Sequence, residues 1–187
     1  MKLEYGDPRT AAMLTNVGLI SSNGSYGYNI MACEWTHQIS NDPGLFCLAI
    51  RNFKATYQNI LETKVFGINI AASDQNILSS VAGKTSAKKI EKISVLKELG
   101  VQFYKASEID VLMIEGACLS AECRLIKHID IGDHPLLIGE VLSIKTTDKE
   151  PLIYHVGKYF QVGEQINKPE EDVLQKIETL KQKYTKV

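Results

Sequence analysis

The sequence predicts a mainly β protein, a β-barrel decorated by a few short helices. Three observations predict it. Asn23-Gly24 lies between two strand-like runs, and both residues tolerate positive φ, which is hairpin chemistry. Residues 116–129 alternate, with Ala117, Leu119, Ala121, Cys123 and Leu125 on one face, and a second long strand, Leu136 to Thr146, follows the polar loop Gly132-Asp133-His134-Pro135. Helical periodicity is confined to short segments and to the tail.

In chain order, Ala11 to Ile20 mixes small, β-branched and apolar residues until Ser21-Ser22-Asn23-Gly24-Ser25 breaks it. The return strand is expected from about Tyr26 to Trp35. Asn41-Asp42-Pro43-Gly44 is a turn, because Pro sets φ and Gly permits the reversal. Leu45 to Ile50 reads as a short buried strand. Thr56 to Lys64 reads as a helix capped by Thr56, with Tyr57, Ile60 and Leu61 on one face. Val65 to Ile70 returns to strand. A helix capped by Ser73 or Asp74 would turn Ile77, Leu78 and Val81 inward and end at Gly83. Ser86 to Leu99 is basic and amphipathic, with Ile90 and Ile93 as core anchors. In the tail, about 169–184, Val173, Leu174, Ile177 and Leu180 form a helical stripe. Acids stand at its start and lysines at its end, as the helix dipole favours.

Length and charge exclude several classes. The 187 residues fit a single domain, with 21 Lys plus Arg against 22 Asp plus Glu and a net charge of -1. A near-neutral chain lacks the electrostatic footprint of a nucleic-acid binder. No apolar run approaches a membrane span, and the acid-bearing N-terminus lacks a signal peptide's apolar core, so a cytoplasmic protein is expected. Cys33, Cys47, Cys118 and Cys123 are scattered, with no C-x-x-C pair and no His at zinc-finger spacing, so no metal site is expected.

Motif chemistry narrows the field further. Gly83-Lys84-Thr85 imitates the end of a P-loop, but the required earlier glycine is replaced by Leu78. No G-x-G-x-x-G follows the first strand, and no G-x-S-x-G is present. Arg51, Lys54, Thr56 and Asn59 open a helix, where a guanidinium beside hydroxyl and amide donors can hold a phosphate. The same residues also read as solvated loop charges with a plain helix cap. Lys84, Thr85, Ser86, Lys88, Lys89 and Lys92 form a basic cluster, whose plain reading is a solvated helix face.

Taken together, these segments resemble a known family. Residues 28–36 (Tyr28-Asn29-Ile30-Met31 through Trp35-Thr36), then Ser40-Asn41-Asp42-Pro43, then Arg51 to Asn59, are similar to the flavin reductase-like FMN-binding split barrels. Ala82 to Ile93 resembles that family's G-x-x-S-G-x-x-x-D-K-F segment, with Ala87, Glu91 and Ile93 departing from it. Glu122-Cys123-Arg124, Gly132-Asp133-His134 and Ile138-Gly139-Glu140-Val141 complete the pattern, which runs from Pro8 to Gly163.

The resemblance implies a Greek-key split barrel, working as a homodimer with FMN near the subunit interface. Met31, Ala32, Cys33, Trp35 and Thr36 would border the flavin ring. Arg51, Thr56 and Asn59 would hold the phosphate and ribityl chain, with Lys84, Thr85 or Ser86 assisting. His134 would stand on the reductant side, its tautomer held by Asp133, although a turn histidine can equally serve its own loop. The implied activity is hydride transfer from NADH or NADPH to flavin, with electrons passing on to an acceptor. The alternative is an FMN-binding electron carrier reduced by a redox protein partner. Cys33 beside a flavin reads either as a redox thiol or as a small filler.

Overall fold

The computed structural model describes residues 1–4 and 6–185. After a 3-10 turn at Pro8–Thr10 come β1 (Thr15–Asn16), β2 (Gly18–Ser22), β3 (Asn29–Cys33), β4 (Thr36–Asn41) and β5 (Gly44–Ala49). Next are α1 (Ala55–Thr63), β6 (Val65–Ile70), α2 (Asn76–Lys84), α3 (Lys92–Glu98), β7 (Phe103–Lys105) and β8 (Leu112–Ile114). The chain continues with β9 (Leu119–Ile129), β10 (Leu136–Thr146), β11 (Ile153–His155), β12 (Lys158–Phe160) and α4 (Glu171–Lys183). The protein is mainly β, as expected, with a curled main sheet and a C-terminal helix.

The main sheet has seven strands in the order β3-β2-β6-β9-β10-β5-β4. Its two edge strands, β3 and β4, are consecutive in the chain and joined only by Glu34-Trp35. Laid flat, six strand spacings would separate the edges by about 29 Å. The link from Cys33 to Thr36 reaches at most about 11 Å. The sheet must therefore curl until its edges meet, which is the half-open barrel.

The meeting edges are stitched by a few bonds. Ala49 N donates to Trp35 O at 3.0 Å, and Thr36 Oγ1 donates to Cys33 O at 3.0 Å. The buried Cys33 thiol points to Trp35 O (3.7 Å) and Ala49 O (3.6 Å). Gly18 lies beneath this corner: a Cβ there would sit 2.7 Å from Cys33 O and collide with Thr36 Oγ1.

Inside the barrel, Ile20, Phe46, Leu48, Ile60, Phe66, Ile68 and Leu137 pack together. Outside β2 and β3, α2 and α3 cover a second core of Leu19, Ile30, Leu78, Ala82, Ile93 and Leu96. A notional Cβ on Gly83 would stand 3.4 Å from the Ala32 side chain, so α2 packs close to β3. Glu122 on β9 is buried and accepts from Ser107 N (3.0 Å), Ser107 Oγ (3.0 Å) and Glu108 N (2.7 Å). Burial alone would raise its pKa, but these bonds hold the carboxyl below the usual range and fasten the loop before β8.

Several expectations are corrected. The strand expected over 26–35 is β3 alone, and the chain crosses to the opposite edge to form β4. Lys54, not Thr56, occupies the α1 N-cap, without a side-chain bond. Gln75 takes the α2 N-cap in place of Ser73 or Asp74, and the helix runs through Gly83 to Lys84. Ile77 is exposed while Leu78 and Ala82 carry the packing. The helix expected over 86–99 is only α3; Ser86 O accepts from Lys89 N and Ile90 N in a turn, which leaves Ile90 exposed. The strand expected from Gly116 begins at Leu119, because Gly116 adopts φ +70. No residue of α4 is buried.

Gly18→Ala is expected to destabilise the barrel by about 1–3 kcal/mol, since the facing carbonyl belongs to the backbone and cannot swing away. Urea denaturation measures it; an unchanged midpoint would show that the corner yields.

Candidate functional site

Two groups of side chains flank the corner between β3 and β4. The first lines a cleft of about 50 Å3 between Met31 and Ala32 on β3, the start of α1, and the segment after α2. The first helical bond of α1 runs from Gln58 N to Lys54 O at 3.2 Å, so the amides of Ala55, Thr56 and Tyr57 lie ahead of the ladder. Ala55 and Thr56 line the cleft, together with Lys54, Thr85, Ser86 and Lys92. None of its lining residues is acidic. A helix N-terminus, two ammonium groups and hydroxyls are the donor types an anion would call for.

The hydroxyls are held in defined roles. Asn29 Nδ2 donates to Thr56 Oγ1 at 2.7 Å, which leaves the threonine proton for an acceptor. Asn29 Oδ1 is itself buried without a partner. Thr85 Oγ1 donates to Val81 O at 2.7 Å, and Ser86 Oγ accepts from Lys88 N at 3.3 Å.

The second group forms where β5 and β10 pair. Arg51 follows β5, and His134 precedes β10; Leu136 pairs with Ala49, and Ile50 N donates to Pro135 O at 3.1 Å. Arg51 Nε donates to His134 Nε2 at 3.2 Å, so the neutral ring carries its proton on Nδ1. That nitrogen lies 2.8 Å from Asp133 Oδ1, and Arg51 also reaches Asp133 Oδ2 at 3.5 Å. The imidazole, and with it Arg51, holds the Asp133 carboxyl below its ordinary range. Trp35, 49% exposed, leans on the imidazole with ring centroids 4.5 Å apart.

The structure thus divides the expected site residues. Met31, Ala32, Thr56, Thr85 and Ser86 meet in the cleft, and Trp35, Arg51 and His134 meet in the second group. Cys33 and Thr36 are buried in the barrel seam. Burial pushes the Cys33 thiol up to about 11, which makes it a seam residue rather than a reactive thiolate. All four cysteines are free. Lys84 ends α2 exposed and outside the cleft lining.

Asn59 stands apart from both groups. Its Oδ1 accepts from Tyr26 N at 3.1 Å, and its Nδ2 donates to Gly27 O at 3.0 Å and Ser22 Oγ at 3.2 Å. The amide organises the β2–β3 turn. Conversely, Lys92 belongs to the cleft and is buried, contrary to the solvated face expected of it. Its burial was hidden by the surrounding lysines, and only the helical phase with Ile93 and Leu96 hints at it. Asn29 was likewise missed as a cleft support. Among the described residues no group of three or more His, Cys, Asp or Glu gathers as metal ligands, and no helix is long and apolar enough to cross a membrane.

Residues 10–163 match the family model described as a flavin reductase like domain. Relatives include the NADH-dependent flavin reductase of a Rhodococcus species, 28% identical over 122 residues, covering 65% of this chain and 62% of that protein. The FMN reductase (NADH) SmoA of Agrobacterium fabrum is 24% identical over 154 residues, 82% of this chain and 83% of that protein. The reductase component of the flavin-dependent trigonelline monooxygenase of Acinetobacter baylyi is 28% identical over 122 residues, 65% of this chain but 36% of that protein. The chain therefore matches under two thirds of the length of several relatives. Among solved structures, flavoredoxin from Methanosarcina acetivorans has a TM-score of 0.75 at 18% identity, covering 84% of this chain and 90% of that one. The NADH:FAD oxidoreductase SgcE6 of Streptomyces globisporus has 0.76 at 16% identity, covering 88% and 99%. At these identities the structural likeness speaks to the fold.

Asn59→Ala is expected to cost about 1–3 kcal/mol, because it strands buried polar partners in the β2–β3 turn. Urea unfolding checks it; a change below about 0.5 kcal/mol would show that water replaces the amide.

Proposed function

Because the chain belongs to the flavin reductase like domain family across residues 10–163, we propose that it binds FMN and oxidises NADH or NADPH with it, delivering the electrons to an acceptor. The observation that carries this reading is the acid-free anion cleft at the start of α1, one strand corner away from the Trp35–His134 pair.

The donor set fits a flavin mononucleotide. Amides ahead of the α1 ladder, the Thr56 hydroxyl, Ser86 and the two lysines suit a phosphate monoester. Bound flavin would supply the redox chemistry, accepting hydride from the nicotinamide and releasing electrons to the acceptor.

The chain's own residues bind, orient and shield. Met31 and Ala32 would flank the ligand where β3 borders the cleft, and Trp35 would continue that wall. Cys33 and Thr36 act on the seam behind it, fixing the backbone rather than touching chemistry. His134, its neutral tautomer set by Arg51 and Asp133, would form with Trp35 the face on which a nicotinamide ring packs. Arg51 then positions His134 and adds positive charge beside the site.

The NADH-dependent activities named for the Rhodococcus and Agrobacterium relatives favour NADH as donor. The monooxygenase component named for the Acinetobacter relative favours a redox protein partner as acceptor. Trp35 and Phe53, both large and exposed (49% and 56%), support a homodimer in which a second copy covers the site's rim.

An anaerobic absorption spectrum with FMN added tests this reading. Flavin bands that bleach with NADH are expected, and a protein that takes up no FMN overturns it. Bands that persist with both nicotinamides would replace the enzyme with a carrier. His134→Ala should slow NADH oxidation at least about tenfold while leaving FMN affinity within about twofold. Unchanged turnover would remove His134 from the nicotinamide face.

A further inference from the structure

Tyr57 follows Thr56 in the first turn of α1, is 7% exposed and packs its ring in the barrel core. Its side chain does not line the cleft. The hydroxyl lies 2.8 Å from Nε2 of His128, and the two rings meet edge-on with centroids 5.6 Å apart. The other side-chain bonds that leave α1, from Thr56, Asn59, Glu62 and Thr63, all run to β2, β3 or the turn between them. Among the described residues, Tyr57 alone bonds an α1 side chain to the β9–β10 hairpin.

That hairpin carries His134 at its tip. Ile126 is skipped in the β9–β10 ladder, where Lys127 pairs with Ile138 and Leu125 with Gly139. A bulge bends its strand and interrupts the pairing, so the tip beyond it, residues 127–137, takes its direction from its own anchors. On one side Leu136 pairs with Ala49 and Ile50 N donates to Pro135 O, which tie the tip to β5. On the other side the Tyr57–His128 bond ties it to α1.

Nε2 of His128 also lies 3.2 Å from Asp130 Oδ1, and one ring nitrogen offers either a lone pair or a proton. With a proton there, the ring would serve the carboxylate, and the phenol proton would lose its acceptor. The Asp130 side chain is 83% exposed and has water in place of the ring, whereas Tyr57 is buried. An unpaired buried donor costs more than a lost surface ion pair, so the neutral ring that accepts from Tyr57 prevails. Burial, with Asp130 beside it, pushes the phenol pKa up, and Tyr57 keeps the proton it donates.

Resting on the flavin reading above, we propose that Tyr57 is a positioning residue for the nicotinamide face: by donating to His128 it fastens the hairpin tip to the helix whose start lines the anion cleft, and so holds His134 at one reach from the bound flavin. Thr56 and Tyr57 are neighbours, so the anion held at one and the histidine placed through the other share a single turn of helix. Tyr57 itself passes no proton to the ligand and touches none of it.

The test is anaerobic stopped-flow reduction of bound FMN by saturating NADH, with FMN affinity and urea midpoints measured on the same full-length proteins. Tyr57→Phe keeps the ring in the core and removes only the hydroxyl. It should slow bleaching at least about fivefold while FMN affinity stays within about twofold. His128→Leu should slow it as much, and the double variant no further, because each removes the same link. His128→Gln, which keeps an acceptor near the place of Nε2, should hold the rate within about twofold of wild type.

A Tyr57→Phe protein that loses stability alone and bleaches at the wild-type rate would overturn the proposal. So would additive losses in the double variant, or an FMN affinity that falls in step with the rate. Should Tyr57→Phe not fold, His128→Leu against His128→Gln decides, and equal rates in those two overturn the proposal. A wild type whose FMN neither nicotinamide bleaches would instead overturn the flavin reading itself.

Discussion

Two residues join strands at opposite edges of a seven-stranded sheet, and most of the molecule follows from that short link. The sheet has to curl, because Glu34-Trp35 cannot span its width. Curling creates an interior that Phe66, Leu48, Ile20 and their neighbours fill. It also presses β3 against Gly18, where no larger side chain fits. The same corner ends one wall of the anion cleft and sets Trp35 against His134. Closure and site geometry are therefore one constraint.

Two buried charges among the described residues, Glu122 and Lys92, are answered in different ways. Glu122 is wrapped by donors from the loop it fastens, so its charge is answered within the protein. Lys92 is held by neutral carbonyls and faces another cation.

The fold was legible in the sequence where turn chemistry and alternation were strong. The bounds of β6 and β10 follow their apolar runs, and chain reversals occur at the segments beginning Asn23-Gly24 and Asp42-Pro43. The corner at Glu34-Trp35 was not legible, because a strand that changes edges keeps an extended backbone and breaks no local rule. The short hairpin of β7 and β8 escaped because three-residue strands carry too little period. In the site, Thr56 was identifiable as a hydroxyl near a helix start, whereas Thr85 and Ser86, which follow the end of α2, were singled out only by the family resemblance. The turn-holding role of Asn59 was not, since its partners Ser22 and Gly27 lie more than thirty residues away.

The lone tryptophan and the tail helix lie at opposite extremes of this architecture. Trp35 is in the seam, so its emission reports whether the barrel edges are together. The thirteen residues of α4 bury nothing, and a helix of that length is marginal by itself in water. Circular dichroism counts α4 with the other helices, whereas tryptophan emission ignores it. The two signals would therefore follow different events on heating, a gradual fraying and a cooperative opening. A single transition temperature would describe the barrel and not the chain.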